Sequence, residues 1–392
     1  MTVRKVGVFR SQSIFVMLLA LVFGACAGRK SMRVEQQPIV PSISQLKYVN
    51  TYVLPHNLPF EQTTVGGLSG IDFDKAGNVY YLISDDRSKI NPARFYKASI
   101  AISAKGIDNV SIIEVDTLRQ RDGKSYPALG RHATKTSDPE AIRFHPPSKT
   151  AVWSSEGERI IRKNDTLLID PTINFVGPKG AYIDSIPLPD NLRMHLTAQG
   201  PRRNGVLEGL TFADDYKKLF VSLEEPLFED GPRAALIPNK AFVRFYEFDL
   251  ASKRNTAQYA YELAPIADAP EKKDGEMING VPDILWLGNN RILVTERSYT
   301  VNKGCSIKVF LADLTAADDI KAVKSMIKTP VAHPIQKKLL LDMRQLGVYI
   351  DNVEGATLGP LLANGHQSLI FVADNNFNKA EQTQFILFEI IP

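Results

Sequence analysis

Five segments of the chain repeat one pattern of two short strands, with an acidic or hydroxyl residue near the start of the first strand and an acidic residue at the end of the second. The first of these residues, here called the anchors, follow one another at intervals of 71, 68, 75 and 71 residues; they are Ser69, Glu140, Glu208, Asp283 and Glu354. The second positions are Asp85, Glu156, Glu224, Glu296 and Asp374. A near-constant period indicates a radial or stacked array of one structural unit rather than several unrelated domains.

Each period also contains sequence signals for about four strands. Signals for a long amphipathic helix are almost absent. In the third copy, residues 242–249 alternate apolar and polar side chains, which predicts a half-buried antiparallel strand. Four-stranded units at regular spacing predict an all-β fold, a β-propeller in which each blade covers the apolar face of the next. Counting copies predicts five blades. Six is the alternative, because the period is long for one blade and residues 117–137 and 175–204 leave room for further strands.

The last copy contains only three strand signals and ends with residues 385–391, whereas residues 46–54 form a strand signal that belongs to no copy. We expect these N- and C-terminal strands to share one blade, which closes the ring and removes its open edges.

Residues 1–25 read as an export signal, because a basic start, an apolar run of about ten residues at 14–23 and two small residues follow in order. The run is too short to span a bilayer, which takes about twenty apolar residues. Phe-Gly-Ala-Cys, ending at Cys26, resembles the bacterial lipobox, whose cysteine is lipidated; an ordinary secretory signal is the alternative. By analogy with such lipoproteins, the lack of Asp after Cys26 predicts the outer membrane. The expected organisation is a signal at 1–25, a lipid-anchored linker at 26–45 and a propeller domain at 46–392 of an exported protein of the bacterial cell envelope.

Charge and cysteine content narrow the function further. The formal charge is +4, but the first 25 residues contain three basic and no acidic residues, so the remainder carries only +1 and has no basic stripe that would indicate nucleic-acid binding.

With Cys26 lipidated, Cys305 has no partner for an intramolecular disulfide, and it is expected to be a buried, inert thiol. The six histidines are far apart in sequence, so no histidine-rich zinc site is predicted. His132 is the one histidine in a loop close to an anchor, and a solvated loop residue is the simpler interpretation.

Seven short motifs occur in order along the chain: Gly-Gly-Leu-Ser-Gly-Ile-Asp-Phe, Ile-Ser-Asp-Asp-Arg, Asp-Pro-Glu-Ala-Ile, Ser-Glu-Gly-Glu-Arg, Leu-Glu-Gly-Leu-Thr-Phe, Thr-Glu-Arg-Ser-Tyr and Val-Glu-Gly-Ala-Thr. Together they resemble the phytase-like domain family, also called the esterase-like activity of phytase family. The resemblance covers residues 47–391 and implies phosphoester hydrolysis, an activity ascribed to the family because of its repeated Glu and Asp residues.

In a propeller, the anchors and the second acidic positions are expected to lie close together, because the first strand of each blade lines the central channel. Carboxylates crowded there repel one another unless cations lie between them. A hard metal, calcium or magnesium, is one solution; the predicted ligands are Glu140, Glu156, Glu208, Glu224, Asp283, Glu296, Glu354 and Asp374. Arginines would add phosphate contacts, and the predicted catalytic set is Glu140, Glu208, Glu354, Arg87, Arg159 and Arg297. The other solution is structural, with each carboxylate paired to an arginine or to backbone N–H groups.

The sequence therefore predicts a metal-dependent phosphoester hydrolase that acts on a phosphorylated small molecule and contacts the membrane only through its lipid. Two alternatives stay open. One is a non-catalytic binding or scaffold propeller with structural carboxylates. The other is a calcium-dependent lactonase or esterase, in which Asn352, Asn375 and Asn376 would join the acidic ligands.

The lipid anchor can be tested directly. If Cys26 is lipidated, the wild-type protein partitions with membranes into detergent, whereas Cys26→Ser is released as soluble protein or keeps its signal. Fractionation and mass spectrometry of the mature N-terminus measure this. Equal solubility of both proteins after correct processing contradicts the anchor.

Overall fold

In a computed structural model of the chain, residues 1–4, 7, 36–40, 42–130, 135–163 and 165–392 are described. Cys26 and His132 lie outside these residues. The described part is almost entirely β, and none of its helices is long and apolar enough to cross a membrane.

The strands form five four-stranded antiparallel blades in a ring, so the predicted five-bladed propeller is confirmed. Before the first blade come β1 (Gln45–Val53) and the hairpin β2 (Leu58–Phe60) and β3 (Thr63–Val65). Blade 1 contains β4 (Leu68–Asp74), β5 (Val79–Ser84), β6 (Arg94–Ser103) and β7 (Gly106–Thr117). Blade 2 begins with β8 (Pro139–His145) and β9 (Thr150–Ser155), continues after the hairpin β10 (Glu158–Arg162) and β11 (Asp165–Ile169), and ends with β12 (Thr172–Val176) and β13 (Tyr182–Ile186).

The remaining blades follow the same order. Blade 3 contains β14 (Leu207–Ala213), β15 (Lys218–Leu223), β16 (Phe242–Asp249) and β17 (Arg254–Glu262). Blade 4 contains β18 (Met277–Gly288), β19 (Arg291–Thr300), β20 (Gly304–Asp313) and β21 (Gln336–Asp342). Blade 5 contains β22 (Asn352–Leu361), β23 (Gln367–Asp374) and β24 (Gln384–Ile391). Three short 3-10 turns lie at Pro178–Gly180, Asp190–Leu192 and Met343–Leu346.

The ring closes as expected. Strand β1 pairs antiparallel with β24 along its whole length, from Gln45 opposite Ile391 to Val53 opposite Gln384, and so becomes the outer strand of blade 5. Strands from both ends of the chain therefore hold this blade together.

One strand expectation differs from the structure. Strand β16 is buried on both faces rather than half-buried, because blades pack against both of its sides. Its polar residue Arg244 is accommodated by a buried ion pair with Asp230, with Nε 2.6 Å from Oδ2. In blade 2, the hairpin β10–β11 forms a separate two-stranded sheet, and β12 pairs with β9.

An arginine from blade 2 joins all five blades at the centre of the channel. The Arg143 guanidinium donates to both carboxylate oxygens of Asp283 in blade 4, at 2.9 and 2.7 Å. It also donates to the carbonyl oxygens of Ile71 in blade 1 and Leu210 in blade 3. Asp283 in turn accepts the backbone N–H of Ala356 in blade 5 at 2.7 Å. This network, the channel hub, is buried and blocks the channel.

The channel is also covered at the end where the inner strands finish, here called the distal end. The Gln37 side chain donates to the carbonyl of Phe212 at 2.9 Å, and the Val40 N–H donates to Leu287 at 3.0 Å. A cavity of only about 80 Å³ is left beneath this segment. Among the described residues, the larger cavity of about 700 Å³ lies at the other end, where the inner strands begin.

Removal of one partner of the channel hub is expected to destabilise the propeller strongly. Arg143→Leu leaves Asp283 buried without a counter-charge and should lower the free energy of unfolding by about 3–5 kcal/mol, and Arg143→Leu with Asp283→Leu should recover part of this loss. Urea unfolding measures both. Lys47→Leu is the control, because this exposed residue pairs with Glu389 on the outer strands and should matter by less than about 1 kcal/mol. Equal effects of Arg143→Leu and Lys47→Leu would contradict the role of the hub.

Candidate functional site

The anchor residues reach the open end of the channel through a β-bulge at the start of each inner strand. Pairing of β14 with β15 skips from Leu207 to Gly209, so that Glu208 is the extra residue, and the same irregularity occurs at Ser69, Glu140 and Glu354. A bulge leaves one residue outside the ladder and redirects its side chain. These four positions therefore turn towards one another around the channel mouth.

Blade 4 differs from the other blades, and here the sequence-based register was wrong by one residue. The bulge lies between Gly280 and Asp283, which puts Pro282 at the anchor position. Asp283 is the next residue, so its side chain points to the opposite side of the strand, into the channel hub rather than the mouth.

The second position of blade 4 is shifted in the same way. Arg297 pairs with Gly280 and occupies the place that Asp85 and Asp374 hold in their blades, while Glu296 lies one residue earlier. The Glu296 carboxylate accepts hydrogen bonds from the Tyr261 hydroxyl, the Ala264 N–H and two further donors away from the mouth. Glu296 is therefore a structural residue and not a member of the predicted metal site.

Eight carboxylates remain around the mouth and are here called the acidic ring: Asp85, Asp138, Glu140, Glu156, Glu208, Glu224, Glu354 and Asp374. Oxygen atoms of Asp85, Asp138 and Glu140 lie within 4.8 Å of one another, and so do oxygen atoms of Glu140, Glu156 and Glu208. Glu140 belongs to both groups and is the centre of the acidic ring.

Two of the three predicted arginines contact the acidic ring. Arg87 forms ion pairs with Asp138 and with Glu158, the latter at 3.0 Å. Arg297 lies 2.8 Å from Glu224 and 3.3 Å from Glu354. Both arginines join neighbouring blades, as the structural interpretation of the carboxylates requires.

Arg159 is not part of the acidic ring. Its guanidinium donates to the carbonyl oxygens of His195 and Thr197, both at 3.0 Å, and lies 4.9 Å from the centre of the Phe228 ring. The structure therefore does not bring this arginine to the other predicted catalytic residues. Arg159 holds the hairpin β10–β11 against a loop instead.

The hydrogen-bonding capacity of the acidic ring is not satisfied by the described residues. Glu156 accepts the N–H groups of Gly205 and Val206, and Asp374 accepts that of Asn376. The side chain of Glu140 has no hydrogen bond or ion pair to a described residue, and buried Oδ1 of Asp138 has no hydrogen-bond donor. Two arginines cannot neutralise eight carboxylates, so the acidic ring has room for protons or a cation.

Burial and mutual repulsion act on the protonation of the acidic ring. Burial, together with the neighbouring Glu224 carboxylate, raises the pKa of Glu156 to about 7. Burial also raises the pKa of Glu354 to about 7, although Arg297 opposes this effect. The pKa values of Glu140 and Glu208 are raised well above the usual range, first by burial and then by nearby carboxylates. In the absence of a cation, part of the acidic ring is therefore protonated near neutral pH.

The acidic ring opens into a cavity of about 700 Å³ between the mouth and the outer part of blades 4 and 5. Asp85, Glu140, Glu208 and Glu354 form one side of its lining, together with Arg297. The volume lies within the range of small-molecule sites. No histidine among the described residues lines the cavity.

The cavity also clarifies the roles of the predicted cysteine and asparagines. Burial raises the pKa of Cys305 to about 11, so the thiol stays protonated as expected, although it lines the cavity and lies 3.7 Å from the Asn352 side chain. Asn352 donates to Glu354 at 2.9 Å, and Asn376 lines the cavity. Asn375 instead accepts the N–H of Gly67 and has a structural role.

Sequence reasoning missed two residues of this region. Asp138 precedes Pro139 and Glu140, and only the fold shows that its carboxylate reaches Asp85. Arg143 lies three residues after an anchor, where the apolar–acidic pattern gives no sign of an arginine directed into the channel. A register alignment of all five inner strands, rather than of their acidic residues alone, would have shown both as departures from the repeat.

The chain is an all-β propeller with a carboxylate-lined mouth. Comparison with known families shows to which family it belongs. The model of the family described as Phytase-like, esterase-like activity of phytase, matches residues 63–377. The protein belongs to this family. No match to a curated protein was found.

Solved structures similar to the chain include an α-L-arabinofuranosidase from Lactobacillus brevis, at 10% identity and a TM-score of 0.46, covering 86% of this chain and 92% of that one. A periplasmic gluconolactonase from Pseudomonas aeruginosa matches at 10% identity and a TM-score of 0.37, covering 84% and 90%. An exo-β-1,3-galactanase from Phanerochaete chrysosporium matches at 13% identity and a TM-score of 0.42, covering 87% and 65%. Similarity at this level does not extend to function.

The raised pKa values predict how stability depends on pH. A carboxylic acid with a higher pKa in the folded than in the unfolded state binds more protons when folded, so the free energy of unfolding falls as pH rises between the two values. For Glu156 and Glu354 this window runs from 4.5 to about 7. The metal-free protein should therefore melt at a higher temperature near pH 5 than near pH 8, and calcium should reduce the difference.

Differential scanning calorimetry of chelator-treated protein measures this dependence, with and without added calcium. The variant Glu156→Gln with Glu354→Gln should show a weaker fall with pH because two of the titrating groups are gone. A metal-free melting temperature that stays constant or rises between these pH values would disprove the prediction.

Proposed function

We propose that the protein is a phosphoester hydrolase that depends on a divalent cation and acts at the acidic ring. The observation that carries this proposal is Glu140, a buried carboxylate shared by two groups of oxygen ligands and bonded to no described partner. Burying an unpaired charge is costly. A group of buried carboxylates around Glu140 without a paired cation is best explained by a ligand that supplies the missing positive charge.

The residues fit a hard cation. Every candidate ligand around Glu140 is a carboxylate oxygen, which suits calcium or magnesium and does not select a soft metal. The unused oxygen of buried Asp138 offers a further ligand next to Asp85. A divalent cation bound here would offset the charge of a phosphoryl group and lower the pKa of a water molecule.

The surrounding residues have roles of their own in this reaction. Arg297 lines the cavity beside Glu354, so its guanidinium is a candidate donor to a phosphoryl oxygen. Glu354 also lines the cavity, and its pKa of about 7 suits an acid that takes up or releases a proton at neutral pH. In the hydrolysis, a bond would form between water and phosphorus while the bond from phosphorus to the ester oxygen breaks. The water would give a proton to a carboxylate of the acidic ring, and the ester oxygen would leave as an alcohol with a proton from a carboxylic acid of the ring.

The expected cellular setting belongs to the same proposal. Lipidation of Cys26 would hold the protein at the bacterial cell envelope, with the outer membrane as the predicted location, and the linker at 26–45 would separate the propeller from the lipid. The substrate would then be a phosphorylated small molecule that is accessible from the envelope.

A calcium-dependent lactonase or esterase is the second candidate. Asn352 and Asn376 line the same cavity as Glu208 and Glu354, which provides the mixed carboxylate and amide oxygens of such a site. A non-catalytic scaffold is the third, and it is favoured by the ion pairs of Arg87 and Arg297 between blades.

Metal removal and paired substitutions distinguish these functions. Calcium should raise the melting temperature of the chelator-treated protein, because a ligand that binds only the folded state stabilises it. Glu140→Gln with Glu208→Gln should abolish this rise and reduce phosphomonoester and phosphodiester hydrolysis by at least about a hundredfold. The metal-free double variant should be about as stable as the metal-free wild type, because reduced repulsion offsets the lost ligands.

Glu114→Gln is the matched control, because this half-exposed residue pairs with Lys97 on an outer strand away from the mouth and should change neither property. Hydrolysis of lactones but not phosphoesters would favour the second candidate. Melting that is insensitive to chelator, together with Gln variants destabilised by about 3 kcal/mol or more, would instead support the scaffold.

A further inference from the structure

The lining of the cavity combines side chains of different chemistry. Besides the carboxylates of the acidic ring, it contains apolar and aromatic side chains: Tyr299, Ile307, Met343, Val348, Tyr349 and Ile350. Four of these six residues come from the segment 343–350, which connects blade 4 to blade 5 and is here called the rim segment. The acidic ring and the rim segment line one continuous cavity, so one ligand can contact both.

The rim segment exposes apolar surface at the cavity. The Val348 residue is 41% exposed and Tyr349 is 59% exposed, whereas Met343 beside them is buried. Large apolar side chains that remain accessible within a concave site can bury their surface against a ligand. Apolar contact of this kind favours a ligand that carries an apolar group.

The rim segment is held in position by hydrogen bonds and does not need to order itself around a ligand. The Asp342 side chain accepts the N–H of Arg344 at its start. At its end, the Gln384 side chain donates to the carbonyl of Tyr349 at 3.0 Å and accepts the N–H of Asp351 at 2.9 Å. The Tyr349 hydroxyl donates to Asp351 at 2.9 Å, which fixes the ring. A preorganised surface loses little entropy on binding.

The charges of the cavity do not fit a ligand with many phosphates. Besides Arg297, the basic lining residues are Lys303 and Arg344, and these already pair with Glu271 and Asp342, respectively. Three further acids, Glu276, Asp351 and Glu381, line the same cavity. A single phosphoryl group can be accommodated at a cation in the acidic ring, whereas additional phosphates would lie against carboxylates.

We propose that the substrate is an ester of one phosphoryl group with an alcohol that carries an aromatic or aliphatic group, and that Val348 and Tyr349 determine specificity by binding this group. The inference rests on the proposed phosphoester hydrolysis and adds its substrate class. It also means that a polyol carrying many phosphates, the substrate that the family name suggests, is a poor substrate for this chain.

Binding of two phosphonates tests the apolar subsite without requiring turnover. Titration calorimetry of the full chain with calcium should show that phenylphosphonate binds at least about tenfold more tightly than methylphosphonate. Val348→Asn and Tyr349→Ala should each reduce this ratio to about twofold or less, mainly by weakening the binding of phenylphosphonate. Leu361→Asn is the control, because Leu361 is a 66% exposed apolar residue of β22 outside the cavity, and it should keep the wild-type ratio.

Turnover of benzyl phosphate, methyl phosphate and inositol hexakisphosphate completes the test, because benzyl alcohol and methanol are leaving groups of similar acidity. Benzyl phosphate should have the highest kcat/KM, and Val348→Asn should raise its KM with little change in kcat. Equal binding of the two phosphonates, no effect of either rim substitution on their ratio, or a higher kcat/KM for inositol hexakisphosphate overturns the inference.

The two proposals fail in different ways. If phenylphosphonate is preferred but no phosphoester is hydrolysed, the apolar subsite stands and the proposed reaction is wrong. If phosphoesters are hydrolysed without preference for the phenyl group, the reaction stands and the proposed specificity is wrong. If neither phosphonate binds in the presence of calcium, both proposals are wrong.

Discussion

The ion pair between Arg143 and Asp283 is the interaction on which the rest of the architecture depends. A five-bladed ring brings its inner strands close together, and a channel lined by backbone groups needs either water or side chains in its centre. Arg143 fills this space and bonds to backbone or side-chain groups of three other blades, while Asp283 connects the fifth. Because this hub blocks the channel, the mouth is a closed funnel rather than a pore. The carboxylates above the hub are therefore buried from below, and burial is the main cause of their raised pKa values.

The repeat explains why acids recur, and the departures from the repeat explain why the mouth is asymmetric. Glu140, Glu208 and Glu354 occupy one position of the blade pattern, but Ser69 and Pro282 replace the acid in blades 1 and 4. Blade 4 also places Arg297 where other blades have a second acid. As a result, negative charge is concentrated at blades 1, 2, 3 and 5, and the cation of blade 4 lies beside the cavity. A site with a defined orientation for a substrate needs such a break in symmetry.

The period of the anchors was sufficient to predict the five blades, and the unmatched strand at residues 46–54 was sufficient to predict how the ring closes. These features depend on spacing and apolar alternation, which a single sequence contains. The register of blade 4 was predicted incorrectly because Asp283 and Glu296 resemble the acids of other blades, while the true equivalents, Pro282 and Arg297, do not. One residue of shift moves a side chain to the other side of a strand. The hub was missed for a related reason, since the partners Arg143 and Asp283 are 140 residues apart and only the closed ring brings them together.

A comparison of two glutamates separates the structural from the ligand-binding interpretation of the acids. Glu296 is buried and receives hydrogen bonds from a hydroxyl, a backbone amide, a side-chain amide and a lysine. That is the environment expected of a carboxylate whose role is to stabilise the fold. Glu140 is also buried, yet its side chain is surrounded by other carboxylates and has no described donor. A carboxylate in this environment destabilises the empty fold, because it must either lose its charge or remain without a partner. The fold therefore supplies hydrogen-bond donors to Glu296, which lies one residue out of register, but none to Glu140 at the centre of the mouth. This difference is expected if the acids of the mouth bind a cation and the other acids of the repeat do not.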